Sequence, residues 1–120
     1  MRGTKPMHEF SLATAILDLA RRHVPAGAVL RAVRVRAGPL RAIDPEAMRW
    51  AWTATLDGQP ESGATIELDL LPWKLSCGDC GRTWQGEDVL AACACGSKNV
   101  NADGDDDLTL MSIEAETIDE

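Results

Sequence analysis

Four cysteines are the residues of this chain whose type and spacing most directly dictate a chemistry. They run as Cys77-Gly78-Asp79-Cys80-Gly81, then eleven residues, then Cys93-Ala94-Cys95-Gly96. Four thiolates in two close pairs can surround one tetrahedral Zn²⁺, as in zinc ribbons. A glycine after Cys80 and another after Cys95 allow tight turns that aim backbone amides at sulfur. The first pair has the C-x-x-C-G spacing. The second is C-x-C, one residue shorter than the usual knuckle, and the shortening should strain the turn or alter the amide–sulfur hydrogen bonds. Iron or a redox dithiol are the alternative uses of such a set. His8 and His23 are too distant in sequence to be obvious substitute ligands. Four protein ligands leave no open position, so a zinc held by Cys77, Cys80, Cys93 and Cys95 is expected to be structural and not catalytic.

A second group stands near the N-terminus, in Met7-His8-Glu9-Phe10-Ser11-Leu12. His8 supplies an imidazole. The backbone amides beside it, once deprotonated, and a free amine could complete a flat, nitrogen-rich site. Tetragonal N,O coordination of that kind suits Ni²⁺ or Cu²⁺. The plain alternative is a solvated histidine near a terminus.

The elements that must position these groups follow from periodicity. A first helix is expected from about Glu9 to Val24, with Phe10, Ala13, Ile16, Leu17, Ala20 and Val24 on one stripe. Arg21, Arg22 and His23 suit its negative end, and Pro25 and Gly27 stop it. Val29 to Ala37 alternates as a strand with one wet face carrying Arg34 and Arg36. Asp44 is an N-cap candidate for a second helix, with Pro45 at the first helical position and Glu46 in the first turn. Ala64 to Leu70 and Leu108 to Glu116 read as further strands. Between them, residues 73–100 hold too few apolar side chains for an independent core and need a metal or disulfides. The run Asp103-Gly104-Asp105-Asp106-Asp107 is a polar turn without the ligand spacing of an EF-hand. The expected fold is α+β: a small three-stranded antiparallel sheet with two helices, plus a zinc-ribbon-like domain. The expected division is residues 1–72 and 104–120 against residues 73–103.

Composition narrows the function. The chain has 120 residues, 45% hydrophobic and 26% charged, which is ordinary for one globular unit with a small appendage. No apolar run approaches the ~18 residues of a membrane span. Met1 to Pro6 is basic, but no apolar stretch follows to make a secretory signal, so a cytoplasmic location is expected, where clustered cysteines bind metal more often than they pair. The net charge is -7. Residues 1–56 hold nine basic and four acidic side chains, and residues 57–120 hold three and fifteen. An acidic cysteine-bearing half argues against nucleic acid as partner. Arg31, Arg34, Arg36, Arg41 and Arg49 could form a basic face, although a solvated strand and helix surface is the simpler reading. Trp50 and Trp52 could stack on bases, but both lie on the second helix, where core packing is the expected fate. There is no phosphate-binding glycine loop and no nucleophile–base pair, so enzymatic activity is not expected.

From Met7 onward the chain resembles the HypA/HybF family of nickel metallochaperones. The matching pieces are Met7-His8-Glu9-Phe10-Ser11-Leu12, Ala42-Ile43-Asp44-Pro45-Glu46, Gly63-Ala64, the cysteine module ending Cys95-Gly96-Ser97, and Ser112-Ile113-Glu114. The resemblance implies a nickel domain of sheet and two helices joined to a zinc domain. It implies that His8 and Glu9 belong to the nickel site, with ligands from the imidazole, the adjacent backbone nitrogens and the Glu9 region. Asp44 matches an acidic position near that site in some members. The implied role is nickel insertion into [NiFe]-hydrogenase, with transported Ni²⁺ and structural Zn²⁺. The implied partners are a HypB-type GTPase and the hydrogenase large subunit, with no membrane or nucleic acid, and the chain itself a monomer or weak homodimer. Two departures stand out: six residues precede Met7, and the second cysteine pair is short. A zinc-ribbon interaction scaffold without nickel transfer is the competing function.

Overall fold

The computed structural model describes residues 4–118. Of the six residues that precede Met7, the first three fall outside the described residues. The element order is α1 (Thr4–Arg21), β1 (Ala28–Ala37), a single 3-10 turn (Pro39–Arg41), α2 (Pro45–Leu56), β2 (Thr65–Leu70), β3 (Trp73–Cys77), β4 (Thr83–Gly86), β5 (Val100–Asp103) and β6 (Leu108–Thr117). No described helix is long and apolar enough to cross a membrane.

The α+β architecture with two helices and two small sheets is as expected, with one correction in the pairing. The first sheet has the order β2-β1-β6. β6 runs antiparallel to β1, but β2 runs parallel to it, with Ala32 opposite Thr65 and Ala37 opposite Leu70. The sheet is therefore mixed, not antiparallel throughout. The reason is the path of the chain: α2 lies between β1 and β2 and carries the backbone back to the end where β1 began. The second sheet has the order β4-β3-β5, with both neighbours antiparallel to β3.

The core lies between the helices and the first sheet. Ala13, Ile16, Leu17 and Ala20 of α1 meet Leu30, Val33 and Val35 of β1 and Met48, Ala51, Trp52 and Leu56 of α2. The opposite face of β1 is wet, as its alternation requires. There Arg31 pairs with Glu116, Arg34 with Glu67 and Arg36 with Asp69, so these arginines neutralise neighbouring strands and form no free basic stripe. Trp52 is 2% exposed and its indole N–H donates to the Ala64 carbonyl at 2.9 Å. Trp50 corrects the expectation of packing for both tryptophans: it is 68% exposed. On α2 the inward stripe is Met48, Ala51, Trp52 and Leu56, and Trp50 points away from it.

The molecule is long, with extents of 65 × 31 × 17 Å and a radius of gyration of 18.3 Å. A single compact body of this length would have about 14 Å. The excess comes from the second sheet, which stands beyond the first and not on it. The β6 strand returns to the first sheet through residues 104–107.

Candidate metal centres

The four cysteine sulfurs converge. Their Sγ atoms all lie within 4.8 Å of one another. Cys77 to Cys95 is 3.7 Å and Cys80 to Cys93 is 3.5 Å. These separations are far beyond a sulfur–sulfur bond of ~2.05 Å. They match the edge of a tetrahedron with Zn–S arms of ~2.3 Å, which is about 3.8 Å. The chemistry of the donors and their spacing thus fit a four-coordinate metal site, and a four-cysteine metal site is present.

Local sequence explains how the site is built. The first knuckle follows β3: Gly81 N–H donates to the Cys77 carbonyl, and Cys77 N–H to the Arg82 carbonyl. The amides of Asp79 and Cys80 both point at Cys77 Sγ, each at 3.4 Å. The second knuckle repeats this pattern one residue shorter. Gly96 N–H donates to the Cys93 carbonyl, and Cys93 N–H to the Ser97 carbonyl. Gly81 and Gly96 close the two turns with φ of 80° and 95°, conformations that a side chain would strain. The missing residue of the C-x-C pair is therefore absorbed by altered hydrogen bonds in a tighter turn. No non-glycine residue of either knuckle takes a positive φ; Ala42, far from the knuckles, is the one that does among those described. Gly78 N–H to the Asn99 carbonyl and the Ser97 hydroxyl to Asp79 tie the two knuckles together.

The thiols differ in acidity. The Cys80 and Asp79 amides pull Cys77 down to about 6. The Cys95 amide lowers Cys93. Cys80 is raised: its Arg82 amide favours the thiolate, but the crowding Cys93 and Cys77 thiols outweigh it. Cys95 is pushed up to about 12, because Cys93 and Cys77 overcome the pull of the Ser97 amide. Four thiolates cannot coexist here without a cation to offset their repulsion.

The N-terminal group is arranged quite differently. α1 begins at Thr4 and not near Glu9, so Met7 and His8 also lie inside the helix. Pro6 permits this, since a first-turn residue has no intrahelical donor to lose. The helical pattern gives the His8 amide to the Thr4 carbonyl and the Glu9 amide to the Lys5 carbonyl. The His8 side chain is exposed, and its Nε2 lies 3.2 Å from the Arg41 carbonyl oxygen. Glu9 is 0% exposed. One of its oxygens, Oε2, accepts from the Asp44 amide at 3.0 Å, while Oε1 is buried without a protein partner. Asp44 caps α2 as expected, its Oδ1 accepting from Glu46 N–H at 3.0 Å and Ala47 N–H at 3.4 Å. The structure thus brings His8, Glu9, Arg41 and Asp44 together where α1 meets the start of α2. Among the described residues, the cysteines form the one convergent group of three or more His, Cys, Asp or Glu ligand atoms. A metal at His8 would therefore need donors beyond side chains.

Two of these placements escape the sequence pattern. Phe10, placed on the inward stripe of α1, is 45% exposed, and Glu9 takes the inward position. The signal was present, because Glu9, Ala13, Ile16, Leu17 and Ala20 follow helical spacing with a carboxylate at the head. The Arg41 carbonyl had no side-chain signature at all.

Comparison with known proteins adds the family. The family model described as hydrogenase/urease nickel incorporation, metallochaperone, HypA matches residues 7–115. The chain belongs to this family. The hydrogenase maturation factor HypA of Syntrophus aciditrophicus is 34% identical over 114 residues, covering 92% of this chain and 100% of that protein. The factor of the same name from Methylocella silvestris is 32% identical over 113 residues, with the same coverage. Among solved structures, the solution structure of the Ni metallochaperone HypA from Helicobacter pylori superposes with a TM-score of 0.56 at 22% identity, covering 92% of this chain and 98% of that one. At that identity the likeness bears on the fold, which it supports. HypA membership places the chain in a family described by hydrogenase/urease nickel incorporation.

Proposed function

We propose that the chain carries Ni²⁺ for insertion into [NiFe]-hydrogenase, binding it at the His8 imidazole with adjacent backbone nitrogens and the Glu9 region. In this reading it holds a structural Zn²⁺ through Cys77, Cys80, Cys93 and Cys95. It works in the cytoplasm with a HypB-type GTPase and the hydrogenase large subunit, as a carrier and not an enzyme. Residues 1–72 and 104–120 act as the nickel-binding unit, and residues 73–103 as the zinc-binding unit. When bound, the zinc supplies a crosslink for a segment with almost no apolar core. Its four sulfur ligands leave no position for catalysis.

The observation that carries this reading is the exposed His8 ring, anchored at one nitrogen beside the buried Glu9 carboxylate and the cap of α2. The contact spans 33 residues of sequence, so it fixes the ring relative to the segment that leads into α2. The amides of His8 and Glu9, used within α1, must be released from the Thr4 and Lys5 carbonyls before they can coordinate. A chain beginning at Met7 has no such carbonyls, and its Met7 amine and the amides of His8, Glu9 and Phe10 are free by the geometry of helix ends.

The test is calorimetric titration of Ni²⁺ into zinc-loaded protein, using the full chain, a chain starting at Met7, and His8→Ala in both lengths. His8→Ala is expected to lose tight nickel binding while keeping zinc. The chain starting at Met7 is expected to bind at least as tightly as the full chain. Equal binding by His8→Ala and parent in both lengths would replace this reading with the zinc-ribbon scaffold.

A further inference from the structure

The His8 ring is held at Nε2, 3.2 Å from the Arg41 carbonyl oxygen. A carbonyl oxygen can only accept, so the ring proton sits on Nε2 and the lone pair of the neutral imidazole stands at Nδ1. Nδ1 is also the nitrogen that can close a small chelate ring with the residue's own backbone nitrogen. Nε2, on the far side of the ring, cannot. We propose that the Arg41 carbonyl is a positioning group that selects the Nδ1-open tautomer of His8 for nickel, and that residues 105–107 set the place of that carbonyl. The proposal rests on the reading of His8 as a nickel ligand.

Three hydrogen bonds carry its second half. Gly38 N–H donates to the Asp107 carbonyl at 2.8 Å, Leu40 N–H to the Asp105 carbonyl at 2.9 Å, and Arg41 Nε to the Asp106 carbonyl at 2.6 Å. Consecutive carbonyls of the segment returning from the second sheet thus grip residues 38–41. The fit leaves no slack. A Cβ on Gly38 would run into the Asp105 carbonyl and carboxylate, and one on Gly104 into the Pro39 ring. Ala42 ends the gripped turn at φ 52°, a conformation kept by a non-glycine residue only where its surroundings over-determine it. The gripping segment is itself braced, since Asp107 N–H donates to the Asp105 carboxylate and the Thr109 hydroxyl donates to that of Asp107. It continues directly from β5, whose Asp103 pairs with Lys74, three residues before Cys77. The sheet that carries the first cysteine knuckle therefore ends in the clamp that seats His8. Metal-ligating histidines elsewhere are oriented by just such a partner on the second ring nitrogen.

The experiment uses zinc-loaded, nickel-free full-length protein. Long-range ¹H–¹⁵N spectra of the His8 ring read its tautomer, and calorimetry reads nickel binding. The parent is expected to show the proton on Nε2. Arg41→Ala and Gly38→Ala should each raise the Nδ1-protonated fraction and weaken nickel binding roughly tenfold, the lower end of what outer partners of ligating histidines cost. The Trp52 indole resonance reports that the core is intact. If Gly38→Ala fails to fold, Arg41→Ala, which deletes one side-chain hydrogen bond, decides alone. A parent ring protonated mainly on Nδ1 overturns the proposal, as does weakened nickel binding with an unchanged tautomer ratio, or an unchanged ratio in the variants. His8→Ala binding nickel like the parent sinks the underlying reading instead, and the tautomer spectra tell the two failures apart.

Discussion

The cysteine cluster and the His8 corner differ in how much of a metal site exists before the metal arrives. Around the cysteines every donor atom is already gathered, with two knuckles and their amides aimed at sulfur. At His8 one ring nitrogen is available, a carboxylate is buried against the neighbouring helix, and the amides are engaged in α1. A preformed set of four thiolates suits an ion that stays. A site that must be assembled from backbone nitrogens suits an ion that is taken up and given away, because its dismantling restores hydrogen bonds the helix would make anyway. The contrast matches the proposed roles of resident zinc and transported nickel.

The comparison can be broken most forcefully at the cysteines. Cys77→Ala, or removal of the metal by a chelator, should disorder residues 73–103 and leave the first sheet and both helices folded, since metal binding there is folding free energy. Amide spectra check this: signals from β3, β4 and β5 should collapse to random-coil positions while those of β1 and α2 persist. Retained dispersion in the small sheet would show that it stands without its metal. The same site should lose metal as pH falls, because Cys95, held near 12, must give up its proton to bind.

A smaller effect is expected at the other region. Asp44→Ala removes the two cap hydrogen bonds of α2 and should cost about 1 kcal/mol. Urea melting of nickel-free protein measures it, and the same loss should appear with nickel present. An effect seen only with nickel would move Asp44 from cap to ligand and make the His8 corner more preformed than described.

The smallest concerns the tie between the end of α1 and the loop before β2. Arg21 donates from Nε and Nη2 to the two oxygens of Glu61, at 2.7 and 2.9 Å. That hydrogen-bonded guanidinium holds the Glu61 carboxyl below its usual range. A carboxyl whose folded value is depressed stabilises the fold fully above its ordinary value of ~4.3 and loses that contribution as pH falls through the lower one. Because Arg21 is 40% exposed, solvent limits the pair to at most about 1 kcal/mol. Glu61→Gln should lower the urea midpoint at neutral pH, and the gap should close as pH falls through the lowered Glu61 value.

Much of this arrangement could be read from the chain alone, for identifiable reasons. The cysteine spacing, the alternation of β1 and the Asp44-Pro45-Glu46 helix start are local signals, and each led to the right element. The direction of β2 was not local, since it depends on where α2 sends the backbone. Glu9 was hidden because a carboxylate at the head of an apolar stripe reads as solvated until a donor, here the Asp44 amide, is seen to receive it. Arg21 and Glu61 lie 40 residues apart, and no periodicity links them. The two tryptophans of α2 differ by two positions, about 200° around a helix, which is enough to send one inward and the other to water.

The pairing of Lys74 with Asp103 has a consequence for the order in which the chain can be assembled. β6 is made after the other described strands, and it must find β1 across the whole intervening sequence, with Leu108 opposite Ala37. Open, that stretch is a long floppy tether, and each halving of a tether's effective length saves about 0.6 kcal/mol of closure entropy. Once the small sheet has formed, its two ends are side by side, and the span from β2 to β6 shrinks to a few linker residues on either flank. An ion captured early, while β6 is still emerging, would thus hand the final strand to its place beside β1.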